Sequence, residues 1–231
     1  MLIAAAVCPH PPLLVPAVAA GAADELADLR AGCVAAVEAV YDARPDLLFV
    51  VGADVGLRAK SLAPWAPGSP ADLAVDVPEA LPLPLLIGGW LTRGRPRSFV
   101  AVDPDLDPVE CAELGADLAG AARRVALLVM GDGSARHTEK APGYVDPRAA
   151  AWDEQAHAAF ATVDTAWLAS IDPAAAAELL VAGRAPWQVL AGAAAAAQPP
   201  AVSAAAFRGS AECAAPYGVG YHLATWLSPS G

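Results

Sequence analysis

Three short, wholly apolar runs constrain this 231-residue chain more than any other feature: Leu2 to Val7, Leu47 to Val51 and Val125 to Met130. None shows the apolar–polar alternation of a half-buried strand, so each reads as a strand covered on both faces, the pattern of a parallel sheet. Between them the periodicity becomes helical. Ala23 to Ala43 places Leu26, Leu29, Cys33, Val37 and Val40 on one face, and Pro108 to Arg123 starts with a proline, which suits a first helical turn. Leu85 to Thr92, Pro147 to Val163, Pro173 to Ala182 and Pro186 to Ala197 also read as helices, and Asp72 to Val77, Ser98 to Val102, Val202 to Phe207 and Val219 to Trp226 as strands. Strand and helix in repeated order predict an α/β fold, a central mostly parallel or mixed sheet with helices on both faces. No internal repeat and no long linker divides the chain, so residues 1–231 are expected to form one domain.

Composition narrows the function classes. The chain is 56% hydrophobic, but runs such as Ala193 to Ala197 favour helix and bury little area per residue, leaving the core to Leu, Val and Trp positions. Lys and Arg number 14 against 25 Asp and Glu, a net charge of −11, and the only basic clusters are Arg93-Gly-Arg95-Pro-Arg97 and Arg123-Arg124. Nucleic acid is not an expected partner. The opening lacks a basic n-region and no apolar stretch is long enough to span a bilayer, so a cytoplasmic protein without membrane association is expected. Cys8, Cys33, Cys111 and Cys213 are far apart, without the spacing of a disulfide framework or a zinc ribbon, and are expected to be reduced and mostly buried. The six tryptophans are scattered and read mainly as core or interface anchors.

Chemistry is expected where the apolar strands end. The first stops at Cys8-Pro9-His10-Pro11-Pro12, an imidazole on a backbone that prolines restrict; the second at Gly52-Ala53-Asp54; the third at Gly131-Asp132-Gly133-Ser134-Ala135-Arg136-His137. Were these strands parallel neighbours, His10, Asp54, Asp132, Ser134 and His137 would share one sheet edge, where open α/β sheets bind ligands. Two histidines, a carboxylate and open positions are what non-haem Fe(II) uses, with His10 as the best ligand and Asp54 and Glu212 as carboxylate candidates, although no motif such as HExxH supports a metal directly. His157 falls in an amphipathic helix pattern and reads as a surface or packing residue, and His222, in the terminal strand pattern, is ambiguous.

In order and spacing, the segments AAVCPHPPLLVP, LLFVVGAD, MGDGSARHTEKAPGYVDPRAAAWDEQ and APYGVGYHLATW resemble the catalytic B subunit of class III extradiol ring-cleavage dioxygenases and the related Memo-like proteins. The resemblance spans nearly the whole chain through short motifs. It implies an extradiol dioxygenase B-subunit-like α/β fold, Fe(II) held by two histidines and a glutamate, a further histidine as acid/base, a small aromatic substrate and often a homo-oligomer. On it, His10 corresponds to the first metal histidine, His137 to the acid/base, and Trp152-Asp153 to a Phe-Asp pair following the loop. It also implies a departure: the second metal histidine is absent, with Gly52-Ala53-Asp54 in its place, and the last ligand falls to Glu212 or Cys213.

The mechanism the resemblance implies has a catechol-type substrate chelating Fe(II), His137 taking a proton from a ring hydroxyl and returning one later, and Ser134, Arg136 and Lys140 of the same loop available to hold the substrate. The missing ligand leaves a second reading, a non-catalytic member that binds a small molecule or a partner. A third takes Ser134, His137 and Asp132 as the residue types of a hydrolytic triad, though without the GxSxG turn and unusually close in sequence.

Overall fold

The protein is described by a computed structural model covering residues 1–63, 75–77, 79–197, 203–205 and 215–228. Its centre is a six-stranded mixed sheet with helices on both faces, as expected of an α/β fold. In chain order the elements are β1 (Leu2–Cys8), α1 (Ala27–Asp42), β2 (Leu47–Ala53), α2 (Leu83–Leu91), β3 (Ser98–Val102), α3 (Pro108–Gly120), β4 (Val125–Met130), α4 (Ala149–Thr162), α5 (Thr165–Ala169), α6 (Pro173–Glu178), α7 (Arg184–Ala196), β5 (Ser203–Ala205) and β6 (Ala224–Leu227). The sheet order is β3-β2-β4-β1-β6-β5. The first four are mutually parallel and the last two antiparallel to their neighbours.

The three apolar runs are the centre of this sheet. β4 lies between β2 and β1, and all six of its residues are buried. Val125, Leu127 and Val129 face the layer that contains Trp187 and Val189 of α7 and Phe160 of α4, while Ala126, Leu128 and Met130 face Cys33 and Val37 of α1 and Leu85 and Leu86 of α2. Both faces of the strand need apolar side chains, which is why no alternation shows. Trp187 and Trp226 are fully buried anchors, and Cys8, Cys33 and Cys111 are buried free thiols. Among the described residues no helix is long and apolar enough to cross a membrane.

Several boundaries differ from the sequence pattern for local reasons. The helix expected from Ala23 begins as 3-10 turns over Ala20–Leu26, and Leu26 leaves helical geometry (φ −111°, ψ 18°) before α1 starts. Three helices were expected between residues 147 and 197, and there are four: Val163 ends α4 in the left-handed region (φ 57°), and Asp164 then caps α5 by accepting from the Trp167 amide at 2.9 Å. Positive φ at Leu180 follows the end of α6, which stops at Glu178 rather than Ala182. Residues 75–77 form no strand, while Arg58–Ala59 and Leu81–Pro82 make a small antiparallel ribbon; the remainder of the strand expected over 72–77 lies outside the described residues.

α3 and α7 approach each other through their backbones. A Cβ on Gly115 would lie 2.6 Å from the Ala193 nitrogen and run into the Val189 carbonyl, and one on Gly192 would lie 2.5 Å from the Ala112 Cα. These contacts are backbone atoms with nowhere to move. Alanine at Gly115 improves helix propensity by about 1 kcal/mol, but overpacking of this kind costs roughly 1–3 kcal/mol and usually more where backbone must shift. Gly115→Ala is therefore expected to lower the unfolding free energy in urea; an unchanged or higher midpoint would show that the helices can separate freely.

Candidate functional site

The carboxyl ends of β1, β2 and β4 lie side by side: Cys8 and Gly52 both pair in register with Met130, and the Gly131 amide donates to the Cys8 carbonyl at 3.0 Å. The loop leaving β4 is knitted to the segment that enters β6. Gly133 donates to the Gly220 carbonyl at 2.7 Å, Gly220 to the Ser134 carbonyl at 2.8 Å, and His137 to the Gly218 carbonyl at 3.1 Å. A polar stretch that looks like an open loop in sequence is thus paired almost like a strand.

Asp153, from α4, reaches into this pairing and is completely buried. Its carboxylate accepts from the Ser134 amide at 3.1 and 3.2 Å, from His222 Nε2 at 2.8 Å and from His137 Nε2. An ionised carboxylate can only accept, which assigns both imidazoles the tautomer with its proton on Nε2 and Nδ1 turned away. His222 Nδ1 is buried without a hydrogen-bond partner, its ring packed edge-on to Trp187 at 5.4 Å and tilted against Phe160 at 5.6 Å. His137 is partly exposed, its side chain 13% accessible. His222 is therefore the inner partner of the pair and His137 the one that can meet a ligand. Glycine is required beside this carboxylate: a Cβ on Gly133 would lie 2.8 Å from His222 Nε2, and one on Gly220 would lie 2.6 Å from the Asp153 Cγ.

His10 joins the same edge through a second carboxylate. Its backbone amide donates to Asp132 Oδ1 at 2.8 Å, and its ring Nδ1, buried without a hydrogen bond, lies 3.4 Å from the same oxygen. Burial pushes the Asp132 carboxyl above the ordinary carboxylate range, with His10 pulling it back and Asp153 adding to the rise. The two carboxylate–histidine pairs are joined by the short stretch Asp132-Gly133-Ser134.

The other expected site residues divide. Asp54 leaves β2 at this edge, but its carboxylate is held by Arg58 and accepts from the Gly56 amide at 3.2 Å; the Arg58 guanidinium keeps it below the usual range. Glu212 and Cys213 lie outside the described residues. Ser134 Oγ is buried and donates to the Leu179 carbonyl at 2.9 Å rather than to His137, so it pins the loop to the end of α6 and is not poised as a nucleophile. Arg136 is likewise spent on structure, donating to the Gly143 and Glu178 carbonyls at 2.7 and 3.0 Å, while Lys140 is exposed. His157 is half-buried on α4, where burial and then nearby His222 disfavour its charged form.

An Fe(II) centre would need three donors converging on one point. Among the described residues no group of three His, Cys, Asp or Glu side chains has that arrangement, and Asp54 is committed to Arg58. The described residues alone do not supply a donor set for the ion, and Glu212 and Cys213 lie outside them. No family model matches the chain, and no curated protein matches it.

The Asp132 environment has a consequence for stability. A carboxyl whose pKa is raised on folding binds its proton more tightly in the folded chain, so its contribution is present below the unfolded value of about 3.9 and is lost as pH rises through the folded value. Asn at this position keeps an acceptor for the His10 amide without the buried charge. Asp132→Asn is therefore expected to gain stability relative to the parent protein as pH goes from about 4 to about 7, read by urea unfolding across that range. A variant that loses ground with rising pH would show that pairing with His10 outweighs burial.

Proposed function

We propose that this chain carries an acid–base site of the extradiol-dioxygenase-like kind, which binds a small catechol-type ligand and moves one of its phenolic protons through His137. The observation that carries this reading is the buried Asp153 carboxylate shared between His137 and His222. With its Nε2 proton directed at Asp153, His137 presents Nδ1 as an acceptor on its outward side. When a ring hydroxyl gives up its proton to that nitrogen, the O–H bond breaks, a phenolate and an imidazolium form, and the fixed negative charge of Asp153 stabilises the imidazolium without any rearrangement. Returning the proton reverses the step. Ser134 supports the geometry through its backbone amide, which accounts for its place in the loop without a nucleophilic role.

From its described residues the site supports binding with proton transfer, while Glu212 and Cys213, the other candidate donors for Fe(II), lie outside the described residues.

The test uses 4-nitrocatechol, whose visible spectrum reports deprotonation directly. With metal-free protein in chelator, at a pH where the free compound keeps its proton, the bound compound is expected to show the band of the deprotonated form. His137→Gln is expected to bind it without that band. Absence of binding to the metal-free protein, together with stoichiometric Fe(II) uptake that His10→Ala abolishes, would overturn this reading in favour of an iron enzyme.

A further inference from the structure

The ends of β2 and β3, together with α6 and the start of α7, enclose a pocket of about 390 Å³ whose lining includes none of His10, His137, Asp153 or His222. Its walls are mainly apolar, with Ala53, Val55, Pro104, Ala176 and Leu180 among them, and the one cation in the lining is Arg184. We propose that this pocket binds a small carboxylic acid with an apolar body, the carboxylate pairing with Arg184 and the hydrocarbon lying against those walls.

Arg184 is only 5% exposed, and its guanidinium donates to the carbonyls of Pro104 and Leu106, to Gln188 Oε1 at 3.1 Å and, at 4.0 Å, to the Cys111 sulfur. Gln188 is held in turn by the Ala169 and Ile171 carbonyls at 3.2 and 2.9 Å. All these partners are neutral: burial pushes the Cys111 thiol up, so it stays protonated near neutral pH. Among the described residues no carboxylate lies within ion-pair distance of Arg184; Asp107 is occupied with capping α3, and Asp105 lines the pocket as an exposed residue.

A buried cation without a paired anion is a costly arrangement, and this one is worse placed than most. Arg184 is the first residue of α7, at the positive end of a 13-residue helix, where the peptide dipoles disfavour added positive charge and favour an anion. Gly183 offers no side-chain cap there. The guanidinium also has five N–H donors against four neighbouring acceptors, so it keeps capacity for another. A carboxylate entering the pocket would satisfy both the charge and the spare donor, against a guanidinium whose residue is only 5% exposed. The largely apolar walls favour one charged end rather than a polyanion, which would bring further charges against Ala, Pro, Val and Leu.

The experiment is calorimetric titration of the full chain with benzoate and with benzamide, which share a shape but not a charge. Benzoate is expected to bind at least about tenfold more tightly, as a charge-assisted pair allows. Arg184→Gln is expected to remove that preference. Because Arg184 also pins the turn before α3, a second variant guards against misfolding: Ala177→Trp, at an exposed lining position, fills the pocket and is expected to abolish benzoate binding with the melting temperature unchanged. His137→Gln is expected to leave benzoate binding intact, which separates this pocket from the catechol site. Benzoate that fails to bind or binds no better than benzamide, binding that survives Ala177→Trp, or binding lost in His137→Gln would each overturn the proposal.

Discussion

One buried carboxylate organises the functional edge of this molecule. Asp153 sits at a depth where an unpaired charge would cost several kcal/mol, and three donors from two other segments compensate it: the Ser134 amide, His137 and His222. Those donors arrive only if the β4 exit loop and the approach to β6 lie against each other, so satisfying the charge also specifies the loop path. Gly133 and Gly220 are where that path passes closest to the carboxylate. Within residues 131–147 it is the Ser134 amide and the His137 ring that answer the buried charge.

Topology brings the remaining pieces to the same place. Because β1, β2 and β4 are adjacent and parallel, their exits share one edge, and prolines on either side of His10 restrict the backbone that hands its amide to Asp132. Asp132 and Asp153 then hold two histidines at neighbouring points by different means, one chiefly through a backbone amide and one through the imidazole itself. On the β2 and β3 side the same edge continues into the pocket where the buried Arg184 lies, with the exposed Asp105 at its lining.

Strand identity was legible because continuous apolar runs of five or six residues leave few alternatives, and placing His10 and Asp132 at one sheet edge required in addition that the strands be parallel neighbours, which β1 and β4 are. The carboxylate that matters most was visible only through the resemblance of Trp152-Asp153 to a family pair, since in periodicity it is one polar residue in an amphipathic helix. His222 was ambiguous because it precedes an apolar strand whose pattern gives no sign of a carboxylate arriving from another helix. Asp54 was singled out by its position at a strand exit, and its ion pair with Arg58 four residues on is a local partner that position does not reveal. The short α5 was passed over because five residues carry too little periodicity, although Asp164 just before it is a usable cap signal.

The clasp between 133–137 and 218–220 ties site chemistry to the exposed behaviour of the sheet's antiparallel side. Among the described residues β6 contributes four residues, pairing with β1 on one side and with Ser203–Ala205 of β5 on the other, fewer register pairs than join the parallel strands at the centre. Local opening is drawn from such regions. An excursion that peels 218–222 away would withdraw His222 and leave Asp153 half-compensated at the same moment. Amide exchange at Gly133, His137 and Gly220 and the integrity of the proton-handling pair would then rise and fall together, as one cooperative unit distinct from the α3–α7 backbone contact.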